Sequence, residues 1–389
     1  MTCRIMQFGT SRFLQAHVDL FVSEALESGA ACGPIAVVQT TGSAESRQRI
    51  AGFRRLRPFP VLLRGCSNGT LVERRMEVGS VAAAWNADED WTEIEQQFAE
   101  TIRYVVCNTG DRGWQADGDP APEGEPPRSF PAKLLALLRL RHRAGMPPMA
   151  VLPCELVPGN GTVLRNIVGD LADRAGDEPA FVEWLRDGCV WANSLVDRIV
   201  SEALDPVGAV AEPYALWAIE AQHGLELPCR HPDVRLVPDL LPYERLKLFI
   251  LNLGHTVLAE QWLASSTRPR DRTVCEAVSD PASQRQLCTI LEDEVLPVFA
   301  SLGMAEQASA YRDTVLERFA NPLLRHQLAD IAVNHAAKKQ RRIAPLLALA
   351  KETGAPATPR LASISCSSVE ASARSLPQER AERHAASHR

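Results

Sequence analysis

Through roughly the first 240 residues, short apolar runs ending in glycine or polar turns alternate with stretches of helical period, and beyond them only the helical period continues. Residues 4–9 (RIMQFG) read as a strand ending in glycine, and 12–27 carry a helical period through Phe13, Ala16, Leu20, Val22 and Leu26. Residues 35–40 (IAVVQT), 103–110 (RYVVCNTG) and 149–155 (MAVLPCE) read as further strands, and 190–200 as extended. The pattern predicts an acidic surface helix over 85–100, an exposed Pro- and Gly-rich loop over 117–128, a leucine-rich helix over 131–144, and helices over 162–174 and 178–186. Residues 58–77 are mixed and read as strands or an insertion. After the Pro-rich segment 227–242, helices are predicted over 244–259, 281–302, 305–318, 322–335 and 341–351. Alternation followed by helices alone predicts an α/β first domain over 1–240 and a mostly α-helical second domain over 241–362. The remainder, 363–389, is Ser, Ala, Arg and Glu with almost no large apolar residue, and reads as disordered.

One stretch, 244–259 (ERLKLFILNLGHTVLA), organises the rest. At 100° per residue, Leu246, Phe249, Ile250, Leu253 and Val257 share a stripe about 100° wide, while Lys247, Asn252 and His255 fall near 0°, 140° and 80° on the other side. Leu248, Leu251 and Leu258 lie among those three, so the helix is apolar nearly all round and should be buried. Buried polar side chains need partners, because each unpaired one costs a few kcal/mol. A substrate cleft with this helix as its wall would supply them. Asn193 poses the same question, since it sits in the apolar segment VWANSLV.

Composition narrows the setting. The chain is 46% apolar and 23% charged, as soluble globular proteins are, and its net charge of −6 gives no footprint for nucleic acid. The first residues run into a strand without a signal-peptide core, and no run approaches about eighteen apolar residues, so a cytoplasmic protein with no membrane partner is expected. The ten cysteines include no C-x-x-C pair and read as reduced thiols, with no metal site implied. A small-molecule substrate is the expected partner, in a monomer or small homo-oligomer.

Strand, glycine turn, helix, strand is the opening unit of a Rossmann-like dinucleotide-binding domain, whose helix amino terminus faces a pyrophosphate. The G-x-G-x-x-G fingerprint is incomplete, since Gly9 is followed by Thr10 and Ser11. The second strand ends in Gln39, Thr40, Thr41, Gly42 and Ser43 rather than in the acid that holds an NAD ribose, and Arg47 and Arg49 follow. NAD is the expected cofactor, with NADP left open by those arginines.

The spacing Lys247, four residues, Asn252, two residues, His255 resembles the helix motif of the polyol-specific long-chain dehydrogenases, the group of mannitol 2-dehydrogenase, fructuronate reductase and tagaturonate reductase. Phe8-Gly9 to His17, Cys107-Asn108-Thr109, Pro153-Cys154-Glu155-Leu156 with Asn160-Gly161, Asn193 to Ile199, and Asn321-Pro322 resemble the same family in the same order, from about residue 4 to about 350. Ser11 departs from it, standing where the family usually has a second glycine.

The resemblance implies a metal-independent NAD(P)-dependent oxidoreductase acting on a secondary alcohol of a sugar alcohol, with a hexuronate reductase or a non-catalytic dinucleotide sensor as alternatives. Such a reaction needs a proton acceptor, stabilisation of the developing alkoxide and a nicotinamide close to the carbinol carbon. A desolvated lysine suits the first task. The resemblance makes Lys247 the base, Asn252 and Asn193 the oxyanion donors, and His255 a contact for a substrate hydroxyl. The candidate cofactor-binding set is Phe8, Gly9, Thr10, Ser11 and Phe13 at the first turn, with Gln39, Thr40, Asn108, Thr109 and Asn160 at later strand ends. Lys338 and Arg341 fall where the family places cationic substrate contacts, within a basic run that also reads as a solvated face.

Overall fold

The computed structural model describes residues 2–67, 69–110, 113–115 and 125–367. The chain divides into two compact units, 1–245 with 321–325, and 246–320 with 326–389.

Among its described residues the first unit has thirteen strands: β1 Ile5–Phe8, β2 Ile35–Gln39, β3 Phe59–Ser67, β4 Thr70–Val78, β5 Val81–Asn86, β6 Tyr104–Cys107, β7 Ala150–Pro153, β8 Val190–Trp191, β9 Ser194–Asp197, β10 Val200–Ala203, β11 Ala209–Ala211, β12 Leu216–Glu220 and β13 Val234–Val237. Six of them form one parallel sheet in the order β5-β2-β1-β6-β7-β8. With the antiparallel pair β3–β4 set aside as an insertion, this is the doubly wound dinucleotide-binding order, whose switch point lies between β1 and β6. β1 is buried throughout, and period-2 alternation sends Ile5 into the core on one face of the sheet and Met6 and Phe8 into the core on the other. The remaining strands make a four-stranded sheet, β10-β11-β3-β4, and a three-stranded one, β13-β12-β9.

Among its described residues the second unit contains helices and their connections, with one bridge between Thr273 and Gln327. Its core gathers around the helix Leu253–Ala264, nine of whose residues are buried, among them the polar His255, Thr256 and Glu260. No helix among the described residues is long and apolar enough to cross a membrane, and all ten cysteines are free.

Several expectations need correction. Residues 85 and 86 belong to β5, and the helix after them, Trp91–Glu100, buries Trp91, Ile94 and Phe98 instead of lying on the surface. Over 322–335 only Leu328–Ile331 and the first residue of the next helix, His335–Arg342, are helical, the two being separated at Asn334, which takes a left-handed conformation (φ 56°). Residues 363–366 complete a helix, Pro359–Cys366, rather than starting a disordered tail; 368–389 lie outside the described residues, as do 117–124 of the expected loop.

Candidate active site

In the first unit the candidate cofactor residues collect at the carboxyl ends of β1, β2, β6 and β7. Gly9 has φ 115°, and a Cβ there would stand 2.6 Å from the Asn108 carbonyl oxygen, so only glycine lets the turn after β1 pass this close to the end of β6. Ser11 caps the short helix Arg12–Gln15 by accepting from the Leu14 N–H. Phe13 stacks on the ring of His17 with centroids 4.8 Å apart, while Phe8 is wholly buried in the sheet.

Neutral groups stand at the end of β2. The Thr10 hydroxyl donates to Gln39 Oε1, Gln39 Nε2 donates to Thr41 Oγ1 at 2.7 Å, and Thr41 and Ser46 share a hydrogen bond of 2.8 Å. Thr40 beside them is half-buried. Arg49 pairs with Glu45 at 2.7 Å.

Glu155, quoted above only as part of a motif, gathers the loops after β6 and β7. One carboxylate oxygen accepts from the Thr109 N–H at 2.9 Å and Trp114 Nε1 at 3.2 Å; the other accepts from the Cys107 thiol at 3.2 Å. Burial pushes its carboxyl upward, against the pull of those donors. Asn108 ties the same ends together by donating to the Cys154 carbonyl at 2.9 Å. Asn160 is a structural bracket: its amide donates to the carbonyls of Pro153, Glu155 and Ser194 and accepts from the N–H groups of Gly161 and Ser194, so any effect on a cofactor passes through that frame.

Asn193 is half-buried and finds the partners its apolar neighbours required. Its oxygen accepts from the Thr162 N–H at 3.0 Å, and its amide donates to Glu220 Oε2 at 2.8 Å. These three residues lie along a groove of about 1020 Å³ at the β8 edge, which Gly9 and Asn108 do not line.

In the second unit the pivotal stretch is not uniformly α-helical. Between Leu241–Leu246 and Leu253–Ala264 runs a π-helical turn, Lys247–Asn252, closed by the Leu253 N–H on the Leu248 carbonyl. A π turn advances about 80° per residue rather than 100°, which narrows the Lys247-to-Asn252 angle from roughly 140° to about 40° and leaves His255 near the Lys247 direction. The wider turn thus draws the three polar residues onto one narrow face. Lys247 is buried at 9% exposure and Asn252 half-buried.

His255 is buried between the rings of Phe319 and His326, at centroid distances of 4.5 and 4.8 Å. Burial holds it well below the usual histidine range, and His326, Arg342, Arg318 and Lys338 push the same way. It is therefore a neutral imidazole, and among the described residues its Nε2 has no partner. The groups acting on it are all bases.

The basic run at 338–342 is for the most part not a solvated face. Lys339 is buried against Ser367 and Glu260. Arg342 is half-buried and donates to the Asn252 carbonyl and to Thr256 Oγ1, both at 3.1 Å, so it braces the end of the π turn. Burial, then Arg341, lowers it to about 10. Lys338 donates to the Ile331 carbonyl at 2.8 Å; burial, then Arg342 and Arg341, pushes it down to about 8. Arg341 alone of the four is exposed. Arg342 is the candidate that sequence reasoning passed over, and only its partner in a distant stretch of chain marks it.

Two family models match, the mannitol dehydrogenase Rossmann domain over residues 3–227 and the mannitol dehydrogenase C-terminal domain over 239–368. An altronate oxidoreductase of Bacillus subtilis (strain 168) is 31% identical over 367 residues, covering 88% of this chain and 74% of that one. One from Yersinia pestis is 30% identical over 385 residues, covering 92% and 77%. Among solved structures, a D-sorbitol dehydrogenase in substrate-free form superposes with a TM-score of 0.74 at 22% identity, covering 92% of this chain and 78% of that one. Pseudomonas fluorescens mannitol 2-dehydrogenase, in a ternary complex with NAD and D-mannitol, gives 0.73 at 21%, covering 94% and 78%.

Proposed function

Because the chain belongs to the mannitol dehydrogenase family, we propose that this oxidoreductase uses NAD to interconvert a secondary alcohol of a six-carbon sugar acid, of the altronate type, and the corresponding keto acid. The observation that carries this is the set of buried or half-buried bases about His255. Half-buried Lys338 and Arg342 are pushed down by burial and by their neighbouring arginines, with Asp330 the acid acting on Lys338, and a substrate carboxylate would add a further opposite charge. A neutral polyol offers none. These cations move the sugar acid ahead of the sugar alcohol that the sequence put first, and the names of the altronate oxidoreductase relatives point the same way.

The dinucleotide fits the residues present. Gly9 lets the turn after β1 pack against the end of β6, where a pyrophosphate would approach the peptide backbone, and Ser11, Asn108 and Thr109 stand beside it. At the end of β2, Gln39 and its hydroxyl partners present uncharged hydrogen-bonding groups, which favours NAD over NADP. NAD, when bound, supplies the hydride acceptor. Lys247 takes the hydroxyl proton, Asn252 and Asn193 donate N–H bonds to the developing alkoxide, and His255, as a neutral imidazole, meets a further hydroxyl through Nε2. Lys338 and Arg342 hold the carboxylate, with Arg341 further out.

Lys338→Met tests the substrate assignment. Losing a charge-assisted hydrogen bond, worth roughly 1.5–3 kcal/mol, should lower kcat/KM for altronate by about 10- to 100-fold and leave any slow mannitol oxidation unchanged. Wild-type kcat/KM for altronate should also fall as pH rises through about 8, where Lys338 loses its proton. Equal losses on both substrates would make Lys338 a structural residue and remove this support for the acid.

A further inference from the structure

One buried acid plays no part in this chemistry. Asp19, in the helix Val18–Glu27, is fully buried, and among the described residues neither of its carboxylate oxygens has a hydrogen-bond partner in the geometry as it stands. Among the described residues the Gln7 amide on β1 is the one side chain that acts on the carboxyl, pulling it downward against the effect of burial. Gln7 is itself fully buried; its Nε2 donates to the Gly9 carbonyl at 3.4 Å, and its Oε1 lacks a partner among the described residues.

Unsatisfied buried acceptors on two side chains that act on each other are an unstable arrangement, and an ionised, unpaired carboxylate there would cost far more than a neutral acid. A single proton resolves both vacancies. We propose that Asp19 is kept as a neutral carboxylic acid donating its O–H to Gln7 Oε1, and that this pair positions the Gly9 turn for the dinucleotide. The positioning half of the statement rests on the NAD reading; the protonation half does not.

The surroundings agree. Burial pushes the Asp19 carboxyl up to about 8, opposed only by Gln7, and no charged side chain among the described residues acts on it. On the same helix, Glu24 is engaged with His231 at 3.0 Å; Arg74, on the packed strand β4, and Arg198 act on Glu24 instead. His17, two residues away, directs Nε2 to the Leu216 carbonyl at 3.0 Å. Ser80 donates to the Asp19 backbone carbonyl at 2.7 Å and leaves the carboxyl alone.

Asp19→Asn is the informative variant, because its amide donates to Gln7 Oε1 as the neutral acid does but cannot ionise. Three readouts decide the matter. Infrared spectra at pH 7 should show the carbonyl band of a buried protonated carboxyl in the wild type and not in the variant; no such band in the wild type would overturn the assignment. An acid whose folded pKa lies above its unfolded value of 3.8 loses stability as pH rises towards the folded value, so the wild-type Tm should fall between pH 5 and 9 relative to that of Asp19→Asn. Parallel Tm profiles would overturn it. Finally, NADH affinity measured by fluorescence should match between the two proteins at pH 6 and be roughly tenfold weaker in the wild type at pH 9. Equal affinities at both pH values would overturn the positioning role, whereas a wild type that binds no NADH at all would instead contradict the NAD reading, with the infrared band still deciding the proton.

Discussion

Lys247→Ala is expected to lower kcat for sugar-acid oxidation by about 10²- to 10⁴-fold, the usual worth of a positioned general base. The lysine opens a π turn inside an otherwise α-helical stretch, and π turns are rare enough, and common enough at functional sites, to make the local geometry informative. The fold itself should tolerate the change, because the same turn is held by Phe249, Ile250 and Leu251 in the core and by the Arg342 guanidinium on the Asn252 carbonyl. NADH affinity and Tm should therefore stay near the wild-type values while turnover is lost. If the purified variant kept more than about a tenth of wild-type turnover, a lysine base would be untenable.

Gly9→Ala is expected to abolish measurable NADH binding. The substitution meets two penalties: a φ of 115° that L residues adopt only with strain, and a methyl carbon 2.6 Å from the Asn108 carbonyl oxygen and 3.2 Å from its carbonyl carbon. Both neighbours are backbone atoms at the end of a central strand, so the turn rather than β6 must yield. A loss of about 2–4 kcal/mol in stability accompanies the loss of cofactor. Gly29→Ala is the control. Gly29 is also left-handed, at φ 70°, but a Cβ there has nothing within 4 Å, so only about 1 kcal/mol of stability should be lost and NADH should bind normally. Similar NADH losses in both variants would show that the effect comes from general destabilisation.

What could be read from the sequence follows from how local each signal is. The strands at 4–9, 35–40, 103–110 and 149–155 were legible because parallel strands covered on both faces are continuous apolar runs. β12 and β13 went unread: β13 exposes its two middle residues, Arg235 and Leu236, so it shows no continuous apolar run, and β12 takes its place only through pairing with β9 and β13. The burial of 244–259 was legible from apolar residues all round the helix. Its π turn was not, since a fixed 100° advance per residue cannot register one, and the angular spread inferred for Lys247, Asn252 and His255 was correspondingly too wide. The basic run at 338–342 looks solvated in sequence because the groups that bury it come from far away: Glu260 beside Lys339, and Asn252 and Thr256 beside Arg342. Asn193 showed the reverse, as its need for partners was visible while Thr162 and Glu220 were not.

The most direct measurement is a substrate comparison on EDTA-dialysed protein: initial rates of NADH formation with altronate, altritol, arabinitol and mannitol, each with NAD and with NADP. The expected result is turnover of altronate with NAD, undiminished by EDTA, at a kcat/KM at least tenfold above that of any uncharged polyol. Oxidation of a polyol with no turnover of altronate would contradict the role given to the buried cations around His255, and activity lost to EDTA and restored by Zn²⁺ would contradict Lys247 as the base.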